Sequence, residues 1–228
     1  MASRRVLSRS EARAFYDRIG AWQDTQAFYE APALDALIAH GRFGEARSIF
    51  EVGCGTGRFA ERLLHDHCPR DARYEGVDLS GTMVGIARER LAPFGDRASV
   101  LQTDGPLTFD YPDGSQDRVV ATYVLDLLSR DDARTLIAEA HRLLSTDGRL
   151  CLAGLTWGRG LLSRLVSRGW DALHALRPAW VGGCRPMEAR SLLRDAHWHE
   201  EHHSVVTAWG VASEVLVATP ANECCRLA

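Results

Sequence analysis

A short apolar strand, a glycine-rich turn and the start of a helix lie together at residues 49–64, which read IFEVGCGTGRFAERLL. The apolar run ends at an acid, Glu51, and glycines follow at every second position, Gly53, Gly55 and Gly57. Glycine permits a tight backbone turn and leaves space for a ligand that any Cβ would block. A strand, glycine turn and helix in this order predict the nucleotide-binding corner of an α/β domain.

The composition is that of one ordinary globular domain. The chain has 228 residues, of which 46% are hydrophobic and 25% charged, and this length can bury a full core. The net charge of −3 gives no electrostatic footprint for nucleic acid. We see no apolar run near the roughly 18 residues of a membrane span, and no apolar signal-peptide segment at the N-terminus. The oligomeric state is not predicted.

The cysteines indicate the compartment. Six cysteines are present without a paired framework, and one of them, Cys54, lies inside the glycine turn, where a disulfide would obstruct a ligand. We therefore expect reduced thiols and a cytoplasmic protein.

The register Glu51-x-Gly53-x-Gly55-x-Gly57 resembles motif I of the class I methyltransferases that use S-adenosylmethionine (SAM). In that family a carboxylate near the strand end faces the cationic methionine part of the cofactor, and the glycine loop lies under it. The leader FYDRIGAWQDTQAFY is similar to that of small-molecule members, including the ubiquinone and menaquinone biosynthesis group. The resemblance covers nearly the whole chain.

The resemblance implies a Rossmann-like, doubly wound α/β fold with a seven-stranded sheet of order 3-2-1-4-5-7-6, strand 7 being antiparallel. It implies a single domain, divided into a helical lid (1–45), a SAM-binding core (46–156), a helical insertion (157–190), a last helix with an antiparallel strand pair (191–219) and a tail (220–228). The pattern further predicts a helical lid from about residue 10 to residue 40, with Ser10 as its N-cap. It also predicts a last helix over 187–197 and strands over 204–209 and 213–218.

Acids at the ends of the next two strands extend the expected cofactor site. The second strand ends at Asp78, where an acid can accept both ribose hydroxyls. Leu79 and Met83 could flank the adenine, although Met83 equally suits the core. By resemblance, Asp104 accepts from the adenine amino group, and the backbone of Tyr123 approaches the methionine amine. The complete set of expected cofactor-binding residues is Glu51, Gly53, Cys54, Gly55, Gly57, Asp78, Leu79, Met83, Thr103, Asp104, Gly105 and Tyr123.

The acceptor side of the site is less well defined. Asp126 stands where the family often has a histidine, so the usual candidate base is missing; it could orient a substrate or cap a turn. Tyr16, in the lid, is a candidate contact to the cofactor carboxylate or a packing residue. These two are the candidate catalytic residues. Without a histidine base, we favour a small acceptor that is already nucleophilic or carries an acidic proton, such as a quinol, a phenol or an amine lipid.

Residues 158–178 form a helical pattern with leucines on one face and mostly arginines on the other. This helix could cover the core, close over an apolar substrate with Trp157, Trp170 and Trp180 as lining, or rest on a membrane surface. We favour the core-covering interpretation.

Two segments suggest a metal. The histidine-rich residues 197–203 could ligate zinc or copper, and Cys224-Cys225 could bind a thiophilic metalloid. The histidines are expected in a solvated turn remote from the strand ends, and nothing indicates that the cysteines converge on a site. No metal is predicted.

The predicted activity is methyl transfer from SAM to a small molecule, which yields S-adenosylhomocysteine. One alternative is an NAD-dependent oxidoreductase, which requires a GxGxxG register and a second nucleotide half, neither of which is visible. The other is a protein of the same fold that binds SAM or S-adenosylhomocysteine but has lost catalysis, and the sequence argues little against it.

Overall fold

A computed structural model describes residues 6–194 and 197–221 of the chain. One seven-stranded sheet has the order β3-β2-β1-β4-β5-β7-β6. Strands β1 to β5 are parallel, whereas β7 runs antiparallel to both of its neighbours. The predicted fold class, strand order and antiparallel strand 7 are confirmed. The strands are β1 (Ser48–Val52), β2 (Arg73–Asp78), β3 (Ala98–Gln102), β4 (Gln116–Thr122), β5 (Leu144–Leu155), β6 (Trp198–Ala208) and β7 (Val211–Pro220).

Helices cover both faces of the sheet. They are α1 (Arg9–Ile19), α2 (Ala27–Gly41), α3 (Arg58–Arg62), α4 (Gly81–Leu91), α5 (Arg130–Leu143), α6 (Leu161–Leu176) and α7 (Ala189–Leu193). Helices α2, α3 and α4 pack on the face that contains Ile49, whereas α5 and α7 pack on the face that contains Phe50. Successive side chains of a strand point to opposite faces, so a strand covered on both sides is apolar throughout. Few polar side chains interrupt such a strand, and Glu51 in β1 is one of them.

The N-terminal region begins with a capped helix. Ser8, rather than the predicted Ser10, is the N-cap of α1, and a complete capping box joins it to Glu11. The Glu11 N–H donates to Ser8 Oγ at 3.2 Å, and the Ser8 N–H donates to Glu11 Oε2 at 2.8 Å. The box satisfies two N–H groups that a helix start otherwise leaves open. The prediction of Ser10 was wrong because the true partner acid stands three residues after Ser8. A 3₁₀ segment, Gly20–Gln26, then separates α1 from α2.

The C-terminal third differs most from the predicted boundaries. Helix α7 has five residues, Ala189–Leu193, instead of the predicted 187–197. Most of the histidine-rich segment, predicted as a solvated turn, belongs to β6, which begins at Trp198. There the His202 ring stacks on His40 at 3.5 Å between centroids, and His203 Nε2 lies 2.8 Å from Glu214 Oε1. β6 is the edge strand of the sheet, and charged residues on such an edge limit pairing with other chains. The sequence of β6 is polar for this reason, and from the sequence alone it resembles a turn.

The leucine-rich helix of the insertion is present as α6, but its orientation is opposite to the favoured interpretation. The leucines of α6 are exposed, whereas Ser163, Ser167 and His174 of the same helix are buried. Across the described residues, no helix is long and apolar enough to cross a bilayer.

Candidate cofactor and active site

A cavity of about 250 Å³ opens at the carboxyl ends of β1, β2 and β4 and is closed on one side by the N-terminal segment. This is the position where parallel α/β sheets bind ligands, because the strand order reverses there. Most of the residues predicted from the sequence line it together: Tyr16, Glu51, Gly53, Cys54, Gly55, Asp78, Leu79, Met83, Thr103, Gly105 and Tyr123. Three predicted residues, Gly57, Asp104 and Asp126, do not.

The glycine turn has the conformation that its residues suggest. Gly53, Gly55 and Gly57 have φ of 72°, 53° and 75°, the left-handed region that favours glycine. A Cβ on Gly53 would collide with the Val124 side chain, and one on Gly57 would lie 3.1 Å from Ala87 Cβ in α4. A Cβ on Gly55 would meet nothing within 4 Å. Gly53 and Gly57 thus permit close packing, and Gly55 leaves bare backbone facing the cavity.

Glu51 is a buried carboxyl that reaches the cavity, with 1% of its surface exposed. Its Oε2 accepts a hydrogen bond from the Tyr74 hydroxyl at 2.6 Å, and its Oε1 accepts one from Thr122 Oγ1 at 3.3 Å. Burial raises its pKa from 4.5 to about 7, although both hydrogen bonds favour the ionised form. A cation in the cavity would favour the ionised form further. The site therefore has the electrostatics of a binding place for positive charge.

Asp78, at the end of β2, is held by the backbone around it. The Gly55 N–H donates to Asp78 Oδ2 at 2.9 Å, and the Ser80 N–H donates to Asp78 Oδ1 at 2.9 Å. Each carboxylate oxygen has a second lone pair, so both oxygens keep the capacity to accept from hydroxyls of a ligand. Burial raises the pKa of Asp78.

Tyr123 follows β4 with a φ of 56°, an uncommon value for a residue other than glycine. Its N–H donates to the Ala153 carbonyl at 2.6 Å, and its hydroxyl lies 2.9 Å from Ser213 Oγ. These contacts turn the backbone sharply beside the glycine corner. Strained backbone of this kind often occurs at ligand sites.

Asp104 is placed differently from the adenine-contacting position that the resemblance implied. Its side chain is 96% exposed and accepts a hydrogen bond from Arg13 Nη2 at 2.9 Å. Arg13 also donates to the carbonyls of Leu79 and Thr103 at 3.0 and 3.2 Å. In this structure Asp104 helps fasten α1 over the cavity, and its role toward the adenine stays a prediction.

Further polar contacts fasten the N-terminal segment to the glycine corner. Asp24 accepts from Thr56 Oγ1 at 2.6 Å and from Arg90 Nη2 at 2.8 Å. Closer to α4, Asp17 Oδ1 accepts from Ser80 Oγ at 2.5 Å. The predicted helical lid thus lies closed over the cavity in this structure.

Tyr16 lines the cavity from α1, and its hydroxyl donates to the Gly182 carbonyl at 3.2 Å. Asp126 is buried behind the cavity, where its Oδ2 accepts from the Leu155 N–H at 3.3 Å. Among the described residues, Asp126 Oδ1 has no hydrogen-bond partner. Burial raises the Asp126 pKa to about 7. A direct role of Asp126 toward an acceptor stays a prediction, and the cavity geometry does not favour it.

Sequence reasoning missed Glu30, which lines the cavity from α2 and has 7% of its surface exposed. Arg58 Nη2 donates to its Oε2 at 3.3 Å. Burial raises its pKa to about 7, with the Arg58 charge opposing this shift. The available signal was an acid directly after Tyr29 in a mostly apolar helix.

No group of three or more histidine, cysteine or acidic side chains is placed to hold a metal ion in the described ranges. Cys224 and Cys225 lie outside them.

Comparison with known proteins identifies the domain. A family model described as a methyltransferase domain matches residues 49–148, which contain the glycine corner, Asp78 and Tyr123. Residues 49–148, somewhat less than half of the chain, are therefore similar to a methyltransferase domain. The predicted family is thus confirmed, and SAM is the cofactor of that family.

Relatives and solved structures support this identification. The chain is 29% identical over 179 residues to malonyl-[acyl-carrier protein] O-methyltransferase of Hahella chejuensis, covering 78% of this chain and 57% of that protein. The chain thus spans less than two thirds of that curated relative. Its fold matches the [4+2]-cyclase SpnF with a TM-score of 0.73 at 16% identity, covering 97% and 100% of the two chains.

A third similar structure contains the product form of the cofactor. Geranyl diphosphate C-methyltransferase from Streptomyces coelicolor, solved with S-adenosylhomocysteine, matches with a TM-score of 0.66 at 15% identity, covering 84% of this chain and 79% of that one. At such identities the likeness shows the fold alone. The fold also carries a cyclase, so the chemistry of this chain must be argued from its own site.

Proposed function

We propose that this protein transfers the methyl group of SAM to a small, largely apolar acceptor and releases S-adenosylhomocysteine. The observation that carries the proposal is the convergence of the buried Glu51, the half-buried Asp78 and the open backbone at Gly55 on one cavity. SAM combines positive charge on its methionine part with a ribose diol. A desolvated carboxyl attracts such charge more strongly than an exposed one, and a second carboxyl can accept from both hydroxyls.

The residues are assigned to parts of the cofactor as follows. Glu51 faces the cationic methionine part, and Asp78 accepts from the ribose hydroxyls with its remaining lone pairs. Leu79 and Met83, which follow Asp78 along the cavity wall, flank the adenine. Gly53 and Gly55 leave room for the cofactor to lie against the backbone.

Bound SAM supplies a methyl group that its positively charged sulfur already activates. The chain therefore needs mainly to align the acceptor and to exclude water. The N-terminal segment excludes water from the cavity, because the hydrogen bonds of Arg13 and Asp24 fasten it across the cavity mouth. Alignment falls to the side chains opposite the glycine corner, including Tyr16 and Tyr123.

We assign to Glu30 the role of accepting a proton when the acceptor must lose one. Its carboxyl lies at the cavity wall, and a pKa of about 7 suits a general base near neutral pH. Glu30 thereby takes the role of the general base, for which the family's usual histidine is absent. Asp126 has a similar pKa but lies behind the wall.

The cavity wall supports an apolar acceptor. Beside the cofactor corner it consists of aliphatic and aromatic side chains, including Leu7, Leu34, Leu127 and Leu128. A phenol, a quinol or the amine of a lipid fits this lining. A cytoplasmic location is part of the proposal, supported by the free thiols at Cys54, Cys68, Cys151 and Cys184.

The test uses SAM labelled in its methyl group and a fractionated metabolite extract. We expect label in an organic-soluble product together with stoichiometric S-adenosylhomocysteine. Calorimetric titration with S-adenosylhomocysteine, on wild type and on Asp78→Ala, checks the cofactor site separately. Tight binding without any labelled product would favour the catalytically inactive alternative, and absence of binding would refute the proposal.

The assignment of Glu30 has its own test. The ionised form is the base, so kcat is expected to rise with pH through about 7 and then level off. Glu30→Gln should lower kcat by about 100-fold or more and remove this rise, with S-adenosylhomocysteine affinity unchanged. Asp126→Asn is the matched control, because it changes a similarly buried carboxyl outside the cavity. An unchanged pH profile in Glu30→Gln would contradict the assignment.

A further inference from the structure

Helix α6 exposes its apolar side and buries its polar side. Its leucines are 81%, 68%, 59%, 45% and 76% exposed at positions 161, 162, 165, 173 and 176, respectively. We call these five residues the leucine face. In a helix that covers a core, the apolar stripe faces inward, so α6 has the opposite orientation.

The buried side of α6 fixes this orientation. Ser167 Oγ donates to the Ser163 carbonyl at 2.7 Å and accepts from the Gly158 N–H at 2.9 Å. A Cβ on Gly158 would collide with the backbone of Ser163, so the chain packs closely there. Trp170 Nε1 donates to the Cys184 carbonyl at 3.0 Å. Rotating the leucines inward would break the hydrogen bonds that join Ser167 to Gly158 and Trp170 to Cys184, and it would leave these polar groups without partners.

Two tryptophans extend the leucine face. Trp209, at the β6–β7 hairpin, is 83% exposed, and the adjoining Gly210 packs against Val166 and Leu162 of α6. Trp180, in the turn after α6, is 61% exposed. Tryptophan is enriched where protein meets the membrane–water interface, because its ring is apolar and its N–H is polar.

Positive charge accompanies the leucine face. Residues 158–181 contain four arginines and a single acid, Asp171, a net charge of +3 in a chain whose total is −3. The acid is half-buried, whereas the arginines, Arg159, Arg164, Arg168 and Arg177, are all exposed. Arg164 and Arg168 lie one helical turn apart, each three residues after a leucine of the face.

We propose that the leucine face binds the surface of an anionic lipid bilayer. A helix with leucine on one side, arginine beside it and tryptophan at its borders has the composition of an interfacial helix. The arginines would lie at lipid phosphates while the leucines enter the acyl boundary. A second copy of this chain is a poorer occupant, because a two-fold interface through α6 would bring arginines near arginines.

Vesicle flotation of the full chain tests the proposal. The probes are phosphatidylcholine vesicles with and without about 30 mol% phosphatidylserine. We expect binding to the anionic vesicles that weakens with salt, and at least about tenfold weaker binding to neutral ones. The combined variant Leu161→Ser, Leu165→Ser and Leu176→Ser should lose binding by a similar factor. Leu101→Ser, a 48% exposed leucine on β3, is the control and should bind like wild type.

A charge variant and a fold check complete the design. Arg164→Glu with Arg168→Glu should abolish binding to anionic vesicles. Affinity for S-adenosylhomocysteine, measured on each variant, should match wild type, which separates this proposal from the proposed methyl transfer. Equal binding to neutral and anionic vesicles, or binding indifferent to the leucine substitutions, would overturn it. A chain that ignores vesicles but dimerises through the leucine face would overturn it in favour of a second copy.

Discussion

Replacing Glu51 by glutamine should stabilise the protein without cofactor while weakening cofactor binding. The Glu51 carboxyl has a pKa of about 7 when folded, against 4.5 for an unperturbed group. At about 1.4 kcal/mol for each pKa unit, ionising this carboxyl in the folded protein costs about 3 kcal/mol. Glutamine has the same shape and keeps an acceptor for Tyr74, but it never ionises.

The sign of the pH dependence follows from the raised pKa. Below about pH 4.5 the carboxyl is neutral in both states and imposes no penalty. As pH rises toward 7 the unfolded chain releases its proton while the folded protein retains it, so the stability of the wild type falls. Above 7 both states are ionised and the penalty is constant. The advantage of Glu51→Gln should therefore grow to about 3 kcal/mol between these limits and then level off.

Urea unfolding of both proteins between about pH 5 and pH 8 measures this difference. Other buried acids, such as Glu30 and Asp126, titrate in both proteins and cancel. Calorimetry should show SAM binding the wild type more tightly as pH rises through 7, and Glu51→Gln responding less. A stability difference that stays constant over this range would refute the reasoning.

Glu139→Gln is a control of opposite sign. The hydrogen bond from Arg142 lowers the Glu139 pKa, and this acid lies outside the cavity. Its contribution to stability is present at neutral pH and is lost as pH falls through its lowered pKa. Glu139→Gln should therefore destabilise the protein at neutral pH, with a deficit that shrinks in acid.

Three further predictions concern the glycine corner, the acids after β2 and β3, and the contacts of the N-terminal segment. Gly53→Ala should strongly lower both the melting temperature and the affinity for S-adenosylhomocysteine, because there is no room for its Cβ. Gly55→Ala should lower the stability in a thermal melt by only about 1–2 kcal/mol, which is the cost of a left-handed backbone at alanine. Asp104→Ala changes a 96% exposed side chain and should alter the cofactor affinity less than about threefold in calorimetry. Asp78→Ala should weaken cofactor binding by more than about tenfold in the same measurement. Arg90→Ala should speed cofactor release about tenfold in stopped-flow measurements, since Arg90 joins the N-terminal segment to the glycine corner.

The sequence predicted the cofactor corner well because the corner is local. β2 ends at Asp78, as predicted. Parallel strands buried on both faces are short apolar runs that end in polar residues. The carboxyl ends of these strands meet at one edge of the sheet. The strand ends therefore also predict that Gly55 and Asp78 lie close together.

Contacts between residues far apart in the chain determine the features that the sequence did not predict. Asp104 follows β3 as expected, yet Arg13, from ninety-one positions earlier, accounts for the direction of its side chain. Helix α6 has a clear amphipathic pattern, but the pattern does not state which face meets the protein. The hydrogen bonds that the Gly158 N–H donates to Ser167 and that Trp170 donates to the Cys184 carbonyl determine that orientation, and no periodicity reveals them.

The same distinction separates the two halves of the cavity. The cofactor half is built from strand ends, whose positions the sheet topology fixes whatever the other residues are. The acceptor half depends on Tyr16 of α1 meeting the loop at Gly182, with Cys184 beside it, a contact between residues 166 positions apart. Glu30 and Tyr123 complete that half from two further elements. Relatives that share the sheet can vary each of these contacts independently. We therefore expect the choice of the proposed methyl acceptor to depend on how the N-terminal segment meets the loop before α7, and not on the glycine corner.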